Sequence, residues 1–156
     1  MTHRTFASAA ALGWTAGMRS MTAPALTAFA LAETRTRSFP ARLLTTPLAR
    51  RGLAVAALGE MGADKLPGMP SRTSPPALIG RLGSGALVGA AVAGANRQSW
   101  VAGAVVGGAM AVASSFVMER LRREVGEQTE TSDPIVALGE DGLAVALGSA
   151  ALAART

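Results

Sequence analysis

The chain has 156 residues, a length typical of one domain. Hydrophobic residues make up 49% of it and charged residues only 16%, against roughly 25% in soluble domains, and cysteine is absent, which excludes disulfides and cysteine-based metal sites. The net charge of +5 comes from arginines between apolar runs without interleaved aromatic residues, so it favours contact with lipid headgroups over nucleic acid.

Five apolar runs predict an all-α membrane protein with about five transmembrane helices, forming a single domain over residues 1–156. Because a bilayer-spanning helix needs about 20 residues, the second run is too short to establish a full span. A soluble bundle of buried helices is the alternative, but residues 98–118 carry no charge and so lack the polar face of a surface helix. The predicted helices cover residues 6–32, 50–66, 75–95, 98–123 and 134–154.

Two short patterns recur in the same order and predict an inverted repeat of two helices. Residues 14–17 (WTAG) resemble residues 100–103 (WVAG), and residues 57–62 (ALGEMG) resemble residues 137–142 (ALGEDG). Inverted repeats build many transporters, although chance matching in a chain rich in Ala and Gly explains the patterns equally well. Five spans would leave seven basic residues on each side, so loop charge predicts no orientation.

Charged side chains inside apolar helices are costly, and they therefore indicate a partner or a functional site. Glu60 and Asp64 lie four residues apart on one helix face, where two carboxylates bind a cation or share a proton. If the repeat is real, Glu140 is the counterpart of Glu60. The candidate solute- or ion-binding residues are Arg19, Glu60, Asp64, Arg81, Glu140 and Asp141.

Arg19 lies five residues before Pro24, which frees the backbone carbonyl of Ser20. A charged residue beside a broken helix indicates a binding site in membrane proteins, while a structural ion pair with a routine proline kink is the other interpretation. We expect Arg19 to pair with Glu60, Asp64 or Glu140, and Arg81 to pair with one of the same acids.

The sequence predicts no enzyme, no catalytic residue, no cofactor and no metal site. His3 is the only histidine, which argues against histidine-dependent triads and metal sites. Residues 80–85 (GRLGSG) are rich in glycine but lack the GK[ST] ending of a phosphate loop, so they favour a helix-packing face.

Short motifs in the same regions carry a family resemblance. They are residues 17–21 (GMRSM), Glu60, residues 63–67 (ADKLP), 70–73 (PSRT), 75–76 (PP), 80–81 (GR), 84–87 (SGAL), 133–134 (DP) and 140–141 (ED). In this order they resemble the DUF4126 family of bacterial membrane proteins, whose function is unknown. The resemblance implies a multi-helix membrane protein and brings no established activity.

We therefore expect a multi-pass protein of the bacterial inner membrane that contacts lipid and forms a homo-oligomer. The leading hypothesis is a transporter or channel-like protein that binds a small polar solute or ion at the six charged residues. The alternatives are a membrane scaffold or accessory protein with structural ion pairs and, less favoured, an enzyme acting on lipid. A water-accessible cavity beside the acids would favour transport, and a dry network of ion pairs would favour the scaffold.

Overall fold

The computed structural model describes residues 2–34, 36, 38–63, 73–128 and 133–154. Within these residues the secondary structure is entirely helical. The helices are α1 (Thr2–Met18), α2 (Thr22–Ala32), α3 (Ala41–Leu44), α4 (Pro47–Ala63), α5 (Pro75–Ala95), α6 (Trp100–Gln128) and α7 (Asp133–Ala153).

Helix bounds follow the sequence most closely where a capping residue precedes proline. Ser74 has extended dihedral angles (φ −60°, ψ 143°), Pro75 and Pro76 fill the first turn, and α5 covers residues 75–95 as expected. The helices expected at 98–123 and 134–154 are α6 and α7 with small shifts of their ends. The helix expected at 50–66 corresponds to α4, which ends at Ala63. Residues 64–66 of the expected helix lie outside the described residues.

The apolar run 6–32, expected to form one kinked helix, forms two helices instead. Helix α1 ends at Met18 and α2 begins at Thr22. Pro24 is the third residue of α2, where a helix has no use for the missing N–H, so proline starts the second helix and does not kink a longer one.

Glycines let α5 and α6 pack with their backbones in contact. A Cβ atom on Gly85 would overlap the backbone of Gly107, and one on Gly89 would overlap the backbone of Gly103. Small residues at such crossings allow close helix packing inside a membrane. The pairs ascend along α5 while they descend along α6, so the two helices are antiparallel.

Helices α1 and α6 run in the same direction, and this does not support the predicted inverted repeat. Gly13 packs on Gly107, and Gly17 packs on Ala111. An inverted repeat would turn the helix of Trp14 upside-down relative to that of Trp100. The parallel packing leaves the shared WxAG pattern without a structural counterpart.

Helices α1 and α2 form a hairpin that α7 covers on one side. Thr15 of α1 and Leu26 of α2 both lie against Gly148 of α7. Further along α2, Ala28 and Leu31 pack with residues of α3 and α5. The chain thus reverses its direction within residues 19–21.

Helix α4 runs back along α2 towards the hairpin turn. Near its start, the Arg50 guanidinium lies 5.8 Å from the centre of the Phe29 ring, and near its end Glu60 reaches Ser20. The first residues of α1, α4 and α6 and the last residues of α5 and α7 therefore lie at one end of the bundle, here named the terminal end. The hairpin turn faces the opposite end, beyond which α6 continues to Gln128.

In the described part of the chain, two helices are long and apolar enough to cross a membrane. They are residues 75–95, with a mean hydropathy of 1.4, and residues 100–121, with a mean hydropathy of 1.9. Helix α2 and residues 141–153 are apolar but shorter. Only 33% of the apolar window in α6 is buried, so large side chains such as Val105 and Phe116 remain exposed.

Candidate functional site

The hairpin turn contains backbone N–H and carbonyl groups that have no hydrogen-bond partner within α1 or α2. Helix α1 ends with the carbonyls of its last turn, and α2 begins with N–H groups that have no partner inside the helix. Residues 17–19 and 22–24 are buried here, so these groups need partners from other helices. Three other helices, α4, α5 and α6, supply those partners.

Glu60 of α4 caps the start of α2. Its Oε1 atom accepts a hydrogen bond from the Ser20 N–H and its Oε2 atom one from the Met21 N–H, both at 2.8 Å. Met21 itself, at the N-cap position, makes no side-chain capping bond. A carboxylate at the positive end of a helix dipole is favourable, and this one comes from about 40 residues along the chain.

Arg81 of α5 caps the end of α1. Its Nη1 atom donates to the carbonyl of Gly17 and, at 3.4 Å, to that of Met18. A cation beside the last carbonyls of a helix complements the negative end of its dipole. Ser115 of α6 adds a hydroxyl, which lies 3.4 Å from the Gly17 carbonyl and donates to Ala111 at 2.7 Å.

Ser84 completes the turn. Its hydroxyl donates a hydrogen bond to the carbonyl of Ser20. That carbonyl is the group that Pro24, which has no N–H, leaves free. Ser84 lies one turn after Arg81, so a single face of α5 binds the carbonyls of Gly17 and Ser20.

Arg19, within the turn, is fully buried and forms an ion pair with Asp141 of α7. Its Nη1 atom also lies 3.4 Å from the backbone carbonyl of Glu60. The side chain of Asp141 is 11% exposed. The pair joins the turn to α7, while Glu60 joins it to α4.

We name Arg19, Glu60, Arg81 and Asp141 the charge cluster. The structure brings together these four of the six sequence candidates. Asp64 lies outside the described residues, as does the side chain of Glu140. Among the described residues no group of three or more His, Asp or Glu side chains could hold a metal ion.

Arg19 has a carboxylate partner, as expected, but the described partner is Asp141. Of the three expected acids, Glu60 binds backbone N–H groups, and the pairing of Asp64 and Glu140 stays a prediction because their side chains lie outside the described residues. Asp141 and its neighbour point about 100° apart on a helix, so the rotation of α7 decides which of them faces the turn. Arg81 was expected to pair with an acid, and its described bonds go to carbonyl groups.

Sequence reasoning missed the role of Ser84. The signal that could have found it is Pro24, because the Ser20 carbonyl that this proline leaves free needs a hydroxyl or N–H donor. The expected packing face at residues 80–85 holds in part, since Gly85 packs on α6 while Gly80 and Gly83 face open space.

No curated protein and no solved structure matches this chain. One family model does, and its only description is Domain of unknown function (DUF4126). The match covers residues 6–154, which include the hairpin turn, all four members of the charge cluster and the glycine-packed helices. The chain therefore belongs to the DUF4126 family.

Proposed function

We propose that this chain is a multi-pass integral membrane protein with a scaffold or accessory role, and that its charge cluster locks the α1–α2 hairpin. The transport hypothesis becomes the second candidate. This ranking rests on the groups that the charged side chains bind. Both oxygens of Glu60 bind backbone N–H groups, Arg81 binds backbone carbonyls, and Arg19 binds Asp141.

Exposed apolar surface supports the membrane location. Soluble monomers rarely expose large contiguous apolar patches, but lipid accepts them. Helix α6 has the higher hydropathy of the two long apolar helices, yet only a third of its apolar window is buried. The same location makes a turn with unpaired backbone groups expensive, which explains why charged side chains cap it.

The depth of the charge cluster supports a lock over an open binding site. Arg81 lies four residues from the middle of α5, about 6 Å at 1.5 Å per residue. A charge at that depth is tolerated when it faces protein and has a partner. Arg81 is 5% exposed and Arg19 is 0% exposed, so neither guanidinium is open to a solute.

Charge at the two ends supports one orientation. The described arginines at the terminal end are Arg4, Arg42, Arg50, Arg51 and Arg97, against Arg120, Arg122 and Arg123 at the far end of α6. The seven-to-seven count assumed one helix over residues 6–32, and the hairpin removes that assumption. Because the positive-inside rule counts basic residues, we propose that the terminal end faces the cytoplasm.

One observation favours transport as the second candidate. The buried hydroxyls of Thr22, Thr27 and Ser114 have no hydrogen-bond partner among the described residues. Such groups would suit a small polar solute or ion that enters beside the broken helix.

The homo-oligomer expected from the sequence stays a prediction.

The test is a double-mutant cycle on Arg19 and Asp141, combined with ligand screening of the intact protein in detergent. For a structural lock, Arg19→Gln should strand a buried carboxylate and cost about 3–5 kcal/mol, and adding Asp141→Asn should recover part of the loss. For a solute site, sodium, potassium, chloride or phosphate should raise the midpoint of thermal unfolding of the wild type.

The outcomes separate the two candidates. Recovery in the double variant, with no ion shifting the wild-type midpoint, supports the lock. A shift that one of these ions produces in the wild type, and that Asp141→Asn abolishes, would replace the lock by a binding site. Additive losses in the cycle would show that the pair does not act as a unit.

A further inference from the structure

A groove of about 660 Å³ runs between α1 and α7, away from the charge cluster. The two helices are antiparallel, because Arg19 meets Asp141 and Thr15 meets Gly148. Alanines line both walls, and their short side chains leave the space between the helices open. The walls include Arg4, Ala7 and Ala11 of α1 and Leu147, Ala150 and Ala151 of α7.

We propose that this groove binds one acyl chain of an anionic glycerophospholipid, whose phosphate group contacts Arg4. The inference rests on the membrane location proposed above. The groove extends along the helices to the terminal end of the bundle, where Arg4 is exposed. A lipid has the matching form, with an apolar chain along the helices and a charged group at the surface.

The charge at this end selects an anion. Among the residues that line the groove, Arg4 is the only charged one. It lies in the first turn of α1, which contains no acidic residue, so the positive end of the helix dipole adds to its charge. At the terminal end, the described arginines outnumber the single described acid, Glu33.

The headgroup contact, not the acyl chain, should decide which lipid stays. A chain that moves from the bilayer into the groove exchanges one apolar environment for another, so its burial provides little selectivity. One arginine near an anionic surface contributes about 1 kcal/mol, which corresponds to about a fivefold preference. We therefore expect the groove to hold the chains of either lipid and Arg4 to favour the anionic one.

The experiment measures lipid retained by the purified full-length protein in native mass spectrometry. Phosphatidylglycerol and phosphatidylcholine with identical chains are supplied in equal amounts. The wild type should retain about five times more phosphatidylglycerol, and Arg4→Gln should lower this ratio to about one. Arg42→Gln, which removes a charge at the same end on α3, is the matched control and should leave the ratio unchanged.

A second variant tests the groove itself. Ala150→Leu should narrow it and reduce the retention of both lipids, whereas Ala146→Leu, on the same helix but outside the lining, should not. Equal retention of the two lipids by the wild type would overturn the proposal, as would equal effects of Arg4→Gln and Arg42→Gln. Carbonate extraction from membranes tests the location separately, so failure of the lipid site and failure of the membrane proposal are distinguishable.

Discussion

Removing the Glu60 carboxylate should open the hairpin turn. Glu60→Ala leaves the N–H groups of Ser20 and Met21 without their partner. Hydrogen bonds to a charged group are each worth about 1.5–3 kcal/mol. Because Glu60 is only half-buried, water replaces part of this loss, and we expect the free energy of unfolding to fall by about 2–3 kcal/mol. Glu60→Gln keeps one acceptor oxygen and should cost about half as much.

Two measurements on the purified protein test this reasoning. The first is the free energy of unfolding, with Glu124→Ala as the control. Glu124 is 55% exposed and pairs with Arg120 at 3.3 Å, so its loss should cost at most about 0.5 kcal/mol. The second is trypsin cleavage after Arg19, which is fully buried in the turn and should become accessible in Glu60→Ala under otherwise native conditions.

The role of Glu60 as a cap would be refuted by equal losses in the Glu60→Ala and Glu124→Ala variants. It would also be refuted if Glu60→Ala unfolded more easily while Arg19 stayed resistant to trypsin until the whole chain unfolded. The first result would make the contact an ordinary surface contact. The second would place the stabilising effect of Glu60 outside the turn.

Three other expectations follow from packing, backbone geometry and charge. Gly89→Ala should cost about 1–3 kcal/mol in the free energy of unfolding because a Cβ there overlaps the α6 backbone, whereas Gly52→Ala, in open space, should raise it by about 0.5–1 kcal/mol; the reverse order would contradict the packing. Arg97 follows α5 and lies in the left-handed region, with φ of 56°, so Arg97→Gly should raise the free energy of unfolding by about 1 kcal/mol. A lower free energy of unfolding would show that the arginine side chain itself stabilises the turn. Because the chain has no cysteine, single replacements report topology cleanly: Arg42→Cys should be protected from an impermeant maleimide outside intact cells and Arg120→Cys should be labelled, and the opposite pattern would invert the orientation.

The sequence predicts where the first apolar run breaks, but not the direction that the chain takes after the break. Pro24 indicated that the Ser20 carbonyl would lose its helical partner, and the structure gives that carbonyl to Ser84. The same signal suits a kink or a reversal, because an apolar run carries no information on its direction after the break. Glu60 and Arg81 bind the backbone on either side of the reversal, and these contacts arise only from three-dimensional packing.

Side-chain pairing inside the bundle was the part that sequence spacing could not supply. Glu140 and Asp141 differ by one position, and the choice between them depends on how α7 rotates on the α1–α2 hairpin. Gly148 faces Thr15 and Leu26 and so fixes that rotation. Asp141, which lies seven residues before Gly148 on α7, is then turned towards Arg19. The repeated ALGExG pattern drew attention to Glu140 instead, through an inverted repeat whose other half, in α1 and α6, runs parallel and so does not support it.

The formal charges of the cluster decide how its two candidate roles differ. Two arginines and two carboxylates sum to zero, so the cluster as a whole exerts little attraction on a free cation or anion. Within it, the charges have separate positions: Arg81 lies at the negative end of the α1 dipole and Glu60 at the positive end of the α2 dipole. Arg19 and Asp141 then neutralise each other across α7. A site that captures an ion would gain from an excess of opposite charge, whereas a buried turn gains most from a neutral set of caps, and the four described members of the charge cluster are such a neutral set.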